Sequence, residues 1–139
     1  MQTKALKPRL DALPELVAFT ARALECEGID RRLLGSIDFV LEELFTNIVK
    51  YGCASGETGV GVQVEVEAIS GGVEVRLLAD GANDFDVTRA PEVDTSMPLE
   101  QRRPGGLGLH LIRRLVDSIE YEYQVSPARS RVTFRKTSA

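Results

Sequence analysis

Residues 105–123 read GGLGLHLIRRLVDSIEYEY, and this stretch gives the clearest indication of the fold. Three glycines open it, and Leu111, Ile112 and Leu115 then recur at helical spacing. The pattern predicts a helix over residues 107–117 with these three side chains on its inner side. Glycines at a helix start let the backbone approach a phosphate closely, because free N–H groups and the positive end of the helix dipole lie there. A flexible hinge explains the same glycines, so the stretch by itself leaves both interpretations open.

The sequence on both sides of this stretch alternates between helical and strand periodicity. Two amphipathic helices are followed by a valine-rich hairpin with a turn at residues 70–72. The order of helices, hairpin, helix and hairpin predicts an α+β fold, a two-layer α/β sandwich with a mostly antiparallel sheet covered by helices on one face. The elements expected from the patterns are an edge strand over residues 3–10, helices over 14–27 and 30–51, a hairpin over 60–77, the helix over 107–117, and strands over 119–125 and 131–136.

A long aperiodic segment lies between the hairpin and the glycines. Residues 87–106 contain three prolines and several charges, and they show no helical or strand pattern. A loop of about 20 residues inside a compact domain is uncommon and is usually functional or disordered. Its position directly before the glycines predicts a lid over the group that the glycines bind.

Length and composition exclude several classes of protein. A chain of 139 residues fits one domain, residues 1–139, and can form a core without metal or disulfide support. The net charge of −4 argues against a nucleic-acid partner, since such domains are usually basic. No apolar run approaches the roughly 20 residues needed to cross a bilayer, so we expect no membrane association and a cytoplasmic location. Two cysteines and one histidine cannot supply the clustered ligands of a zinc site.

The second helix carries a polar stripe beside its apolar face. In residues 40–52, VLEELFTNIVKYG, the residues Glu43, Asn47 and Lys50 follow the i, i+4, i+7 spacing that places side chains on one side of a helix. An amide oxygen can complete a Mg²⁺ shell, and a nearby carboxylate can deprotonate a hydroxyl. A solvated helix face with a Glu–Lys ion pair is the alternative interpretation.

A further candidate follows the return strand of the hairpin. In residues 77–87, LLADGANDFDV, an apolar strand runs into Asp80 and Gly81. A carboxylate at the end of a buried strand can reach a pocket and accept a hydrogen bond from a ligand's amino group. A simple turn after the strand explains the same two residues.

The order of these three segments resembles the N-box, G1 box and G2 box of the Bergerat-fold ATPases, the superfamily of gyrase, histidine kinases and the heat-shock and mismatch-repair ATPases. Within it, the chain is similar to the small serine protein kinases that act as anti-sigma factors. The similarity covers essentially residues 10–137. It rests on one short domain without a phosphoacceptor-helix region, on ELFTNIVKYG in the N-box, and on the G2 stretch followed by RVTFRK. The chain departs from the family in its G1 box, which reads DGAND from Asp80 in place of Asp-x-Gly-x-Gly, and at Tyr51, which replaces the common N-box histidine.

The resemblance implies a role for each matching residue. Glu43 corresponds to the base that activates the acceptor serine, Asn47 to the Mg²⁺ ligand, and Lys50 to a phosphate contact. Residues 87–106 correspond to the ATP lid. The remaining nucleotide-binding residues that the resemblance implies are Asp80 as the adenine anchor, Thr133 beside the adenine, Gly105, Gly106 and Gly108 at the phosphates, and Ala82, Leu107 and Leu109 within the same motifs.

The function that the resemblance implies is an ATP- and Mg²⁺-dependent protein-serine kinase that acts as an anti-sigma-type regulator by partner switching. In that scheme the kinase holds a sigma factor or another regulator, and it phosphorylates a small antagonist protein on serine. The resemblance alone also implies a homodimer. The alternative is a nucleotide-binding or degenerate anti-sigma-like binding module without phosphotransfer. The changed G1 box favours this alternative, whereas Glu43 and Asn47 favour the kinase.

Overall fold

The computed structural model describes residues 1–53, 59–88 and 106–138, with the backbone alone for Gly106 and Leu107. Its strands are β1 (Gln2–Leu6), β2 (Gly61–Ile69), β3 (Gly72–Asp80), β4 (Ser118–Gln124) and β5 (Arg129–Thr137), and its α-helices are α1 (Leu13–Glu27), α2 (Leu34–Asn47) and α3 (Gly106–Leu115). The strands form one sheet in the order β1-β2-β3-β5-β4, and every neighbouring pair is antiparallel. The predicted α+β sandwich is confirmed. None of the described helices is both long enough and apolar enough to cross a bilayer.

Strand alternation gives the sheet two chemically different faces. The inner face, which packs against the helices, consists of apolar side chains from every central strand, such as Val64 on β2 and Leu77 on β3. The outer face carries charges, because each residue between two buried ones points the other way. On this face Arg76 forms ion pairs with Glu65 at 2.8 Å and with Glu67 at 3.0 Å. The helices therefore cover one side of the sheet only, as the alternating sequence predicts.

The first helix ends at the residue that the sequence indicates, whereas the second α-helix begins at Leu34, four residues after its predicted cap. Gly28 closes α1 in the left-handed conformation, with φ of 67°, which glycine adopts without strain. The Asp30 carboxylate accepts a hydrogen bond from the Arg32 N–H at 3.0 Å. Asp30 thus caps a short 3₁₀ turn, Arg31–Leu33, which leads directly into α2.

The second helix differs from its predicted form at its C-terminal end. Instead of one α-helix up to residue 51, the α-helical part stops at Asn47, and Ile48–Gly52 continues as a π-helix. Apolar spacing at three and four residues does not distinguish the two kinds of turn, so the change is not predictable from the pattern. Single π turns inside α-helices are rare and often mark functional sites.

The third helix buries a different set of leucines from the set predicted. Leu109 and Ile112 are buried, whereas Leu111 is 46% exposed and the prediction for it is wrong. Leu109 and Ile112 lie three residues apart and so share one side of the helix, while Leu111 is rotated away from Ile112 by about 100°. Leu115 packs against the core as predicted, and α3 ends there rather than at residue 117.

Asp38 on α2 has one buried carboxylate oxygen, Oδ1, without a hydrogen bond in the described part of the chain. Burial raises the pKa of Asp38 to about 6, and repulsion from Glu42 acts in the same direction. Because the unfolded value of 3.8 is lower, the fold loses stability as the pH rises towards and through 6 and Asp38 ionises.

Asp38→Asn is expected to raise the free energy of unfolding by about 1 kcal/mol above pH 6, after allowance for solvent screening of this half-buried group. The gain should disappear below about pH 4, where the native carboxyl is protonated in both the folded and unfolded states. Urea unfolding over this pH range measures the difference. Glu42→Gln is the matched control, because it relieves only the repulsion and should give a smaller gain in the same pH range. A gain that does not depend on pH would contradict the assignment.

Candidate functional site

The Glu43 side chain lies against the first turn of α3. A Cβ built on Gly108 would overlap the Glu43 carboxylate and would lie 2.9 Å from its Cγ, which is closer than real Cβ atoms come to other atoms. Gly108 has no positive φ. A side chain at position 108 would therefore displace the carboxylate of Glu43 from its present position, and the N-box segment meets the G2 segment at this contact.

Asn47 occupies the next turn of α2 on the same side as Glu43. It is only 5% exposed, and no described residue forms a hydrogen bond with its side-chain amide. The residue is buried as a whole, but its amide atoms are not fully enclosed, so they can reach a ligand or solvent. An amide oxygen is one of the hard oxygen ligands that Mg²⁺ accepts. Asn47 therefore fits a metal–nucleotide ligand.

The loop after β3, residues 81–88, contacts the π-helical end of the second helix. The Asn83 N–H donates a hydrogen bond to the Gly52 carbonyl oxygen at 2.7 Å. The Phe85 and Tyr51 rings pack with their centroids 5.1 Å apart. The G1 segment thus meets the N-box segment on one side, while the G2 segment meets it on another. The structure brings all three sequence motifs to one helix.

Lys50, the third member of the predicted stripe, lies on the π-helical turn and is exposed. The wider π turn moves Lys50 away from the position that α-helical spacing gives it. Glu43 and Lys50 are both described, and no ion pair joins them. The alternative interpretation of the stripe is a solvated face with a Glu–Lys ion pair, and this ion pair does not form between Glu43 and Lys50.

Asp80 and Thr133 are not brought together with Glu43 and Asn47. In β3 the buried position is Ala79, so strand alternation directs the neighbouring Asp80 to the outer face. There the Asp80 carboxylate, 58% exposed, forms an ion pair with Arg129, which lies opposite it on β5. Thr133 alternates with the buried Val132 in the same way. The adenine contacts expected of Asp80 and Thr133 require side chains on the inner face, and this structure places both on the other one.

Ser130 is the hydroxyl residue of β5 that does reach the inner face. It is 4% exposed, lies directly opposite Ala79, and has no hydrogen-bond partner for its hydroxyl among the described residues. The alternation of Ser130, Val132 and Phe134 was the available signal for it. The motif indicates Thr133 for the contact beside the adenine, so it does not draw attention to Ser130.

The other predicted nucleotide-binding residues divide into two groups. Ala82 and Leu109 are buried, at 2% and 4% exposure, and both belong to the apolar core. Gly106 begins α3, and Leu107 follows it in the same turn. Gly105 and most of the predicted lid over residues 87–106 lie outside the described residues.

Comparison with known proteins identifies related sequences over almost the whole chain. The histidine kinase-like ATPase domain family matches residues 6–136. The serine-protein kinase RsbW of Listeria monocytogenes is 31% identical over 123 residues, which are 83% of this chain and 77% of the relative. The serine-protein kinase RsbW of Listeria innocua is 30% identical over the same shares of the two chains.

Solved structures agree with the fold. The RsbU and RsbW domains of a Mycobacterium tuberculosis protein match with a TM-score of 0.61 at 15% identity, covering 99% of this chain and 32% of that chain. The histidine kinase domain of a blue-light activated histidine kinase from Erythrobacter litoralis matches with a TM-score of 0.53 at 14% identity, covering 90% of this chain and 60% of the other. This chain thus spans about a third of the Mycobacterium chain. At these identities the similarity shows the fold.

Proposed function

This chain belongs to the histidine kinase-like ATPase domain family, and from that membership we propose that it is an ATP-dependent serine-protein kinase. One observation carries the proposal: Glu43 and Asn47 project from adjacent turns of α2, the first against Gly108 and the second with no hydrogen bond to its amide from the described residues. The two Listeria relatives are named serine-protein kinases, which supports the same activity. In this proposal residues 1–139 act as one ATPase domain.

The described residues include candidates to bind both the metal ion and the phosphates of the nucleotide. Asn47 would supply an oxygen ligand to Mg²⁺, and Lys50 would contact phosphate from the π-helical turn. The α3 start, with Gly106 and Gly108, would offer backbone N–H groups to the phosphates. Bound Mg-ATP supplies the phosphoryl group that is transferred. Ser130, rather than Thr133, is proposed as the hydroxyl of the inner face that lies near the adenine ring.

Glu43 is proposed as the general base. Its carboxylate would accept the proton of a partner protein's serine hydroxyl, so that the serine oxygen becomes the nucleophile. Gly108 positions this base, because the absence of a side chain at residue 108 fixes how closely α3 approaches the carboxylate. Glu43 is half-buried, so part of its side chain can be reached from solvent.

The proposed protein substrate is a small antagonist of an anti-sigma factor, phosphorylated on serine. The kinase would also hold a sigma factor or another regulator, and phosphorylation of the antagonist would decide which of the two proteins it binds. A cytoplasmic location and a homodimer are part of this proposal, and a nucleic-acid partner is not. The acidic balance of the chain, with a net charge of −4, supports the last point.

The test is to mix the purified chain with Mg-ATP and a candidate antagonist and to measure the antagonist's mass. Phosphorylation at one serine, absent when Mg²⁺ is chelated, supports the kinase. Calorimetry of Mg-ATP binding accompanies the assay, and a native protein without detectable binding would overturn the proposal.

A binding module without phosphotransfer is the second candidate, and one observation favours it. The Asp80 carboxylate faces outward and is paired with Arg129, so the proposed anchor for the adenine amine is not on the inner face. Such a module would hold its protein partner with or without nucleotide and would leave the antagonist's mass unchanged.

Gly108→Ala is expected to slow phosphotransfer by about tenfold or more, because its Cβ would displace the Glu43 carboxylate from its position. Stability should not fall, since Ala favours a helix by up to about 1 kcal/mol over Gly and Glu43 can rotate away. Gly35→Ala on α2 is the matched control, because a Cβ there meets nothing within 4 Å. Rates from the mass assay and urea midpoints for both variants give the comparison. A native rate for Gly108→Ala would show that the contact does not position the base.

A further inference from the structure

The tyrosines of β4 reach across the inner face to the loop that follows β3. The Tyr123 hydroxyl donates a hydrogen bond to the Ala82 carbonyl oxygen at 2.9 Å. The Tyr121 hydroxyl donates to Asp84 Oδ1, also at 2.9 Å. Both tyrosines face inward, because their partners in the register with β5 are the buried Val132 and Ser130. An edge strand therefore holds a loop that lies two strands away.

Four consecutive residues of this loop are each held by a different bond. Besides the two tyrosine contacts to Ala82 and Asp84, the Gly81 N–H donates to the Ala128 carbonyl at 2.7 Å. The Asn83 N–H donates to the Gly52 carbonyl at 2.7 Å. The bonds come from the β4–β5 hairpin on one side and from the π-helical turn after Asn47 on the other. Residues 81–84 are thereby fixed between the inner sheet face and the helix that carries Glu43 and Asn47.

The two tyrosines bind the two residues at which this chain departs from the glycines of the G1 pattern. The related G1 pattern has a glycine at residue 82 and another at residue 84, whereas this chain has Ala82 and Asp84. Ala82 is 2% exposed, so its carbonyl needs a partner inside the protein, and Tyr123 provides it. The hydrogen bond from Tyr121 holds the Asp84 carboxylate on the side of the loop that faces β4. The Tyr121 hydroxyl is protonated at neutral pH in any case, and burial together with the hydrogen bond to Asp84 raises its pKa further.

We infer that Tyr121 and Tyr123 are positioning residues for nucleotide binding, which hold residues 81–84 in the conformation that Mg-ATP requires. The inference rests on the proposed function. Neither hydroxyl is assigned a contact with the nucleotide, and each acts through the loop. If the loop is held before the ligand arrives, binding does not have to order it, and affinity rises by the amount that ordering would cost.

Tyr123→Phe and Tyr121→Phe remove the two hydroxyls and keep the rings. Each is expected to weaken Mg-ATP binding by about fivefold, the effect of losing one hydrogen bond of ordinary strength, and the double variant by more than tenfold. The Michaelis constant for ATP should rise by similar factors while the maximal transfer rate stays within about twofold. Ser118→Ala, which removes a hydroxyl at the other end of β4, is the control and should bind normally.

Two further measurements separate positioning from general stability. Hydrogen exchange without nucleotide should become faster within residues 81–88 in the tyrosine variants and stay native in α1. Asp84→Asn retains an oxygen acceptor for Tyr121 and should bind nearly as the native chain does. Asp84→Ala should match Tyr121→Phe, and combining the two should cost no more than either alone.

The outcomes distinguish this inference from the kinase proposal. Native Mg-ATP binding with unchanged affinity in both tyrosine variants would overturn the inference and leave the kinase in place. Equal losses of affinity in Ser118→Ala would also overturn it, since they would show a general effect on β4. A native protein that binds no Mg-ATP would overturn both.

Discussion

Glu43→Gln should slow serine phosphorylation by about 100-fold or more while Mg-ATP and partner affinities stay nearly native. The size of the loss is that of removing a general base. Glutamine keeps the shape of the side chain against Gly108, so the contact between α2 and α3 survives. Only the ability to accept the serine proton is lost. Mass spectrometry of the antagonist gives the rate, and calorimetry gives the affinity.

Glu42→Gln is the matched control for this prediction. Glu42 precedes Glu43 on α2 and is exposed, and Glu42→Gln makes the same change of charge on the same helix. It should phosphorylate at the native rate. If Glu43→Gln does so as well, Glu43 is not the base. If both variants are slow, the loss comes from the charge of the helix rather than from proton transfer.

Asn47→Ala is expected to abolish productive Mg-ATP binding and, with it, all phosphotransfer. The proposed metal ligand is lost, and no other described side chain on this side of α2 offers an unpaired amide. Because no described residue hydrogen-bonds to the Asn47 amide, its removal breaks no hydrogen bond in the described part of the chain and should change the free energy of unfolding little.

The dependence on metal decides whether Asn47 acts through Mg²⁺. Calorimetry with Mg²⁺ and with chelator should show a large difference in ATP affinity for the native chain and little difference for Asn47→Ala. Thr46→Ala, on the neighbouring position of α2, is the control and should keep the native dependence on Mg²⁺. If Asn47→Ala loses ATP affinity equally with and without the metal, the residue contacts the nucleotide or supports the fold, and the assignment as metal ligand is wrong.

Much of the fold could be predicted because each element carries its own signal. The apolar residues of the second helix that recur at three- and four-residue spacing, from Leu33 to Ile48, are all buried, as their spacing indicates. The end of α1 at Gly28 and the cap at Asp30 follow from the strong preferences of glycine for helix C-termini and of aspartate for helix N-caps. The valine alternation of the hairpin likewise gives the inner face of the sheet.

The parts that could not be predicted depend on contacts between distant segments. Nothing in the glycine-rich stretch shows that Gly108 faces Glu43, because that contact exists only once α2 and α3 pack together. The hydrogen bond from Tyr123 to Ala82 joins residues 41 positions apart. The π turn after Asn47 has no periodicity of its own at this length.

For Asp80 the strand pattern and the motif indicate different positions of the side chain. The alternation of Val73, Val75, Leu77 and Ala79 already places Asp80 on the opposite side of its strand. The motif indicates an adenine contact, but a motif aligns residues without regard to which face of a strand they occupy. The face of a strand is a stronger constraint than a motif letter, because turning one side chain over requires a bulge or a slip of the register.

The sheet order has a consequence for the synthesis of the chain. β3 is bonded along its length to β5, although the long loop, α3 and β4 come between them in sequence. A ribosome that adds roughly 5–20 residues per second leaves one side of β3 without its partner for several seconds after that strand is complete. Unpaired strand edges are templates for association with other chains, and charged side chains oppose such pairing. Glu74, Arg76 and Asp80 alternate along this edge, so the charges of the outer face also protect the growing chain while its last strand is awaited.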